Sequence, residues 1–139
     1  MWMTRLTKRP HLAWVPFLVW VGMAFALSSQ SSPPGAATIG AQAGGQGDVL
    51  VHLAEYAVGG ILALFALALS GLSKRGWLIF LLAWLIVLAI ACVDETIQRF
   101  VPGRTFSLTD VATDALGAGA ALALVAALSW VYRAMHENS

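Results

Sequence analysis

Hydrophobic positions fill four long stretches of this chain, and the polar positions gather between them. No Asp, Glu, Lys or Arg occurs between Arg9 and Asp48. Glu55 and Lys74 then bracket 18 uncharged residues, Arg75 and Asp94 bracket 18 more, and so do Asp114 and Arg133. As a helix, a run of that length measures about 27 Å, close to the hydrocarbon thickness of a bilayer. The pattern predicts four membrane-spanning helices at about residues 11–28, 49–73, 76–93 and 111–132. Loops are expected at about 29–48 and 94–110. The expected fold is all-α, an integral membrane bundle of four transmembrane helices forming one domain over residues 1–139.

Turn signals agree with these limits. The segment from Ser28 to Gly47 is rich in Ser, Pro, Gly, Ala and Gln and reads as a loop without a core of its own. Lys74-Arg75-Gly76 is a minimal turn, which makes the second and third spans an antiparallel hairpin. Pro102-Gly103 marks another turn, and Ser107-Leu-Thr-Asp110 fits a capping box at the start of the fourth helix. Gly117, Ala118, Gly119, Ala120 and Ala121 follow, small enough to let that helix approach its neighbours closely.

Composition narrows the class. Of 139 residues, 59% are hydrophobic and 11% charged, with mean hydropathy +0.77. Soluble domains carry roughly 25% charged residues, so this chain cannot clothe a soluble globule. A net charge of +1 with no basic stripe excludes nucleic acid as a partner. The single cysteine, Cys92, excludes an internal disulfide framework and a cysteine-based zinc site, and reads as a small apolar residue.

Charge also orients the spans. Arg5, Lys8, Arg9, Lys74, Arg75 and Arg133 fall on one side, which the positive-inside rule assigns to the cytoplasm together with both termini. All acids except Glu137 fall on the other side. The expected location is the bacterial cytoplasmic membrane, with the polar residues extracytoplasmic. The first span has a basic flank and an Ala24-Phe25-Ala26 sequence that resembles a signal-peptide cleavage site. Its apolar run is longer than a usual signal core and contains Pro16, so it is read as a retained helix.

Candidate chemistry collects at the outer helix ends. His52, Glu55 and Tyr56 share one face of the second helix by their i, i+3, i+4 spacing. Asp94 pairs by spacing with Gln98, and Glu95 with Arg99; the latter reads as a solvated i, i+4 pair. Asp110 and Asp114 are again four apart, with Ser107 at the cap. Arg104 and Arg99 are the available counter-charges, and Arg104 suits either a clamp on Asp94 or Asp110 or an anionic ligand. Charged groups at a membrane boundary face the bundle interior or a wet cavity by default. The candidate binding set is therefore His52, Glu55, Tyr56, Asp94, Glu95, Gln98, Arg104, Ser107, Asp110 and Asp114. The bland alternatives are an interfacial histidine at His52 and a purely structural clamp at Arg104. The tryptophans, including Trp2, Trp14, Trp77 and Trp130, are expected mainly as interfacial anchors.

These residues also carry a family resemblance. The run from Asp94 through Glu95, Gln98, Phe100, Pro102, Gly103 and Arg104 to Ser107 and Asp110, followed by a Gly-rich helix, resembles the signature of the VanZ-like family. His52 with Tyr56, and Ser28-Ser29-Gln30 after the first span, fit its earlier elements. Asp114 stands where that family often has Asn. The resemblance implies a small multi-pass protein of the bacterial cell envelope, in a family named for resistance to glycopeptide antibiotics such as teicoplanin. It implies no particular reaction and no cofactor.

Three functions compete. The first is an envelope protein binding an amphiphile, such as a lipid-linked cell-wall precursor or a lipoglycopeptide, beside membrane lipids. Arg104 would meet an anionic group, and His52, Tyr56 and Gln98 would hydrogen-bond. The second is an enzyme on a lipid-linked substrate, with Asp94 or Glu55 as general base and His52 as acid–base partner. A divalent ion on Asp94, Asp110 and Asp114 would suit that reading, although no metal motif is present. The third is a small transporter, which the uncharged middle of every span disfavours.

Overall fold

A computed structural model describes residues 10–31, 47–72 and 75–137, with side chains from residue 49 in the second segment. Trp2, Arg5, Lys8, Arg9, Lys74 and most of the segment between the first two spans lie outside the described residues. Four helices are long and apolar enough to cross a membrane. A 3-10 turn, Pro10–Trp14, leads into α1, Val15–Ser28. The others are α2, Gly47–Ser70, α3, Gly76–Gln98, and α4, Leu108–His136. Pro16 sits in the first turn of α1, where its missing N–H costs nothing. Gly71, at φ 65°, ends α2 in the left-handed conformation that helix stops favour.

Two helices outrun their expected limits at the polar end. α3 continues through Asp94 and Glu95 to Gln98, so these side chains stand on a helix and not in a loop. α4 starts three residues earlier than expected, directly after its Ser107 cap. The polar residues do not end α3 because they have partners inside the bundle. After Gln98 the chain leaves the helix through turns over residues 99–103, where Gly103 has φ 82°.

Small side chains set the helix spacing. A Cβ on Gly117 would strike the Leu53 carbonyl and lie 2.9 Å from the Leu53 Cα. A Cβ on Gly60 would lie 3.2 Å from the Ala118 Cα. α2 and α4 thus pack nearly backbone to backbone, the close approach that stabilises helix pairs in lipid. Ala83, Val87 and Ala91 recur every four residues and form the buried face of α3. Trp84 Nε1 donates to the Ala115 carbonyl at 3.0 Å and ties α3 to α4. α1 adds Phe17, Trp20 and Ala24 to the core, with Trp20 lying where a Cβ on Gly59 would be. Leu18, Val19, Met23, Leu81, Leu85, Leu116, Leu124 and Leu128 face outward, as a lipid-exposed surface requires.

The tryptophans divide between two roles. Trp77 and Trp130 are exposed near helix ends, as anchors would be. Trp14, Trp20 and Trp84 instead turn into the bundle, and Trp14 Nε1 donates to Ser70 Oγ at 2.7 Å.

Candidate functional site

One end of the bundle collects the C-termini of α1 and α3 and the N-termini of α2 and α4. Three contacts pin them together. Ser28 Oγ on α1 donates to Asp94 Oδ2 on α3 at 2.6 Å. His52 Nδ1–H on α2 donates to Asp114 Oδ1 on α4 at 2.9 Å. The Ser107 backbone N–H, at the cap of α4, donates to Glu95 Oε2 on α3 at 2.8 Å. Asp94, Glu95, Gln98, Asp114 and Tyr56 are each at most 2% exposed.

The expected Asp94–Gln98 pair forms, with Gln98 Nε2 donating to Asp94 Oδ2 at 3.3 Å. Tyr56 stands beside Asp94, its ring edge-on to Trp20 at 5.5 Å between centroids. Its hydroxyl, a donor, interacts with the Asp94 carboxyl without reaching ideal hydrogen-bond geometry. The carboxylate opposite His52 Nδ1 calls for the proton on that nitrogen, which leaves Nε2 as the free ring atom.

Ser107 caps α4 as predicted, its side chain accepting from the Asp110 N–H at 3.1 Å. The reciprocal half of the capping box does not come from Asp110. Glu95 of the neighbouring helix supplies it, so the cap is completed across the bundle.

Two expectations are overturned. Glu95 is not a solvated partner of Arg99, because Glu95 is 0% exposed and turned inward while Arg99 is exposed. Arg104 clamps neither Asp94 nor Asp110. Among the described residues the one ion pair is His52–Asp114. Arg104 follows the tight turn closed by its own N–H to the Val101 carbonyl at 3.1 Å, and its side chain is half-buried. The interior acids are already engaged by Ser28, Gln98, His52 and the Ser107 backbone.

The remaining residues complete the picture. Glu55 is half-buried on the His52 face of α2 and forms no side-chain hydrogen bond among the described residues. Asp110 is half-buried in the first turn of α4, where a negative charge opposes the positive end of the helix dipole. No three His, Cys, Asp or Glu side chains among the described residues converge as a metal site, so Asp94, Asp110 and Asp114 do not form the triad considered for a divalent ion. Ser28 is the site residue that sequence reasoning missed. Its signal was the Ser28-Ser29-Gln30 run at the end of the first span, on the same side as the acids.

The electrostatic balance at this end is uneven. Five carboxyl groups (Glu55, Asp94, Glu95, Asp110, Asp114) stand around one imidazole. Glu95 Oε1 and Asp114 Oδ2 are buried and without partners among the described residues, and Asp94 Oδ1 and the Tyr56 hydroxyl lie in one buried pair that falls short of ideal hydrogen-bond geometry. Buried polar groups are normally satisfied, so a concentration of orphaned acceptors marks a place where donors belong.

No curated protein and no solved structure is significantly similar to this chain. A family model described as VanZ/LLP1 matches residues 4–130, which include every residue of the polar cluster, and the chain belongs to that family.

Proposed function

We propose that this protein binds an amphiphilic molecule of the bacterial envelope, its polar head at the His52–Asp94–Asp114 end and its apolar part along the lipid-facing surface. The observation that carries this reading is the set of buried carboxyl oxygens on Glu95 and Asp114 without partners among the described residues, beside the Asp94–Tyr56 pair. They favour a head group rich in hydrogen-bond donors, such as hydroxyls, amides or an amine. The Arg104 side chain, without a partner among the described residues, is available for an anionic linkage of the same molecule. A lipid-linked cell-wall precursor has this chemistry, and so does a lipoglycopeptide of the teicoplanin type. The positive-inside pattern supports an extracytoplasmic position for the site. Handling either molecule would connect the protein to glycopeptide resistance.

A second reading rests on the His52–Asp114 pair at 2.9 Å. An imidazole oriented by a buried carboxylate, with its other nitrogen unpartnered among the described residues, is equipped for acid–base chemistry on a bound head group. Asp94 or Glu55 would be the second proton-transfer group.

Thermal unfolding in the presence of a purified lipid-linked precursor tests the binding reading. The midpoint should rise with precursor concentration in the wild type, and Asp94→Asn should need about tenfold more precursor for the same rise. A flat response in the wild type, or an equal rise in both proteins, would overturn it. Turnover of the precursor that requires His52 would move the site to the second reading.

A further inference from the structure

The apolar exterior of the bundle does not end where the acids begin. On α3 the exposed stripe that passes through Leu85, Ala89 and Val93 continues to Thr96 and Phe100. Thr96 Oγ1 donates to the Cys92 carbonyl at 2.7 Å, which hides its polar group against its own helix. Phe100 is 81% exposed, and Leu108, at the start of α4, 73%. Phe106 between them is exposed as well, and so are Leu50 and Val51 on α2, just before His52. Asp94 stands six residues before Phe100, and Asp114 six residues after Leu108, so the buried acids lie inside an apolar rim.

Helix length places that rim against a bilayer. Trp77 on α3 and Trp130 on α4 are exposed at the opposite end of the bundle, and tryptophans so placed sit at the boundary between acyl chains and head groups. Counted from them, about 30 Å of hydrocarbon takes about 20 helical residues and reaches about Ile97 on α3 and Asp110 on α4. Asp94 and Asp114 then lie about 4.5 and 6 Å inside the second boundary at helical rise. Phe100, Phe106 and Leu108 fall at that boundary or just beyond it.

The charge of the connection fits the same place. Residues 99–107 carry Arg99 and Arg104 and no acid, and Arg99, next to Phe100, is exposed. Apolar side chains with cations beside them match the layering of a lipid surface, where phosphate lies just outside the hydrocarbon. The apolar residues at this level also sit on or beside three helices, α2, α3 and α4. A bilayer meets all three at once, and a second copy of the chain would cover one side.

We propose that the connection from Arg99 to Ser107 docks into the lipid surface at this end of the bundle. Phe100, Phe106 and Leu108 occupy the boundary between acyl chains and head groups, and the Asp94 and Asp114 carboxyls lie below it. What the sequence reads as an outer loop is a roof set in the lipid. The docking surface is the continuation of the lipid-facing exterior and does not depend on what the polar cluster binds.

The test is nitroxide labelling of single cysteines in vesicles of equal parts phosphatidylcholine and phosphatidylglycerol. Native Cys92, exposed on α3, is the reference in lipid. Glu137→Cys, at the far end of α4, is the reference in water. Phe100→Cys, Phe106→Cys and Leu108→Cys replace exposed side chains, and all four substitutions are made in a Cys92→Ala background. Labels at residues 100, 106 and 108 should collide more with oxygen than with a water-soluble nickel chelate, a preference below that at Cys92 and well above that at Glu137→Cys. Labels there that favour the chelate as Glu137→Cys does would overturn the docking and put the connection in water. Labels shielded from both reagents would overturn it in favour of a protein partner or a second copy.

Discussion

Glu95 of α3 accepts the backbone N–H of Ser107, the residue that caps α4, at 2.8 Å. A carboxyl group at the end of one helix thus completes the start of the next and fixes the connection from Arg99 to Ser107 across the top of the bundle. The same contact explains why α3 runs on past Asp94. Its last turn has work inside the protein.

Glu95→Ala should therefore cost about 2 kcal/mol or more, since it orphans a helix-start N–H and empties a buried site. Glu95→Gln keeps an acceptor and should lose about half as much. Arg99→Ala should stay within about 0.5 kcal/mol, as an exposed side chain without an ion pair among the described residues. Reversible unfolding in detergent or bicelles measures all three, and hydrogen exchange at the Ser107 amide should accelerate in Glu95→Ala alone. If Arg99→Ala matched Glu95→Ala, the pair would be coupled and the inward placement of Glu95 would be wrong.

The His52–Asp114 contact joins α2 to α4 in the bundle interior. Asp114→Asn still offers an oxygen to His52 Nδ1–H and should cost about 1 kcal/mol or less. Asp114→Leu leaves His52 without its acceptor and should cost about 2–4 kcal/mol. A double-mutant cycle with His52→Phe should return a coupling of about 1–3 kcal/mol. Strict additivity would mean that the two side chains do not interact.

Gly117 faces the Leu53 backbone more closely than any Cβ permits. Gly117→Ala should destabilise the protein by about 1–3 kcal/mol despite alanine's better helix propensity. Gly22 has open space where its Cβ would be, so Gly22→Ala should be neutral or mildly stabilising. Equal effects of the two substitutions on unfolding would contradict the close α2–α4 approach.

Three of the four helices are legible because charges punctuate the chain at intervals of one bilayer thickness, and the first because no charge interrupts it. Their ends are not, because a charged residue marks the membrane edge in sequence without ending the helix. Asp94 and Glu95 lie inside the helix, since Ser28, Gln98 and the Ser107 N–H accommodate them. Helical spacing found the pairs but could not say which face turns inward. The Asp94–Gln98 spacing makes a hydrogen bond, and the Glu95–Arg99 spacing, one position along, makes none because Glu95 turns inward and Arg99 outward. His52, Tyr56 and Asp114 were recognisable as polar residues at one end of the bundle. Ser28 reaches Asp94 across 66 residues of sequence, a distance that no local pattern bridges. Arg104 looked like the natural counter-charge by composition, but the turn that carries it leaves the acids to neutral donors and His52.

The most direct measurement is native mass spectrometry of the protein purified gently with its endogenous lipids, wild type beside Asp94→Asn, Tyr56→Phe and Arg104→Ala. The wild type should carry a donor-rich amphiphile of defined mass. Each variant should retain it about tenfold less, the loss of one hydrogen bond to a charged or buried group. A wild type with no such molecule, or folded variants that hold it as well as the wild type does, would contradict the binding site at this end of the bundle.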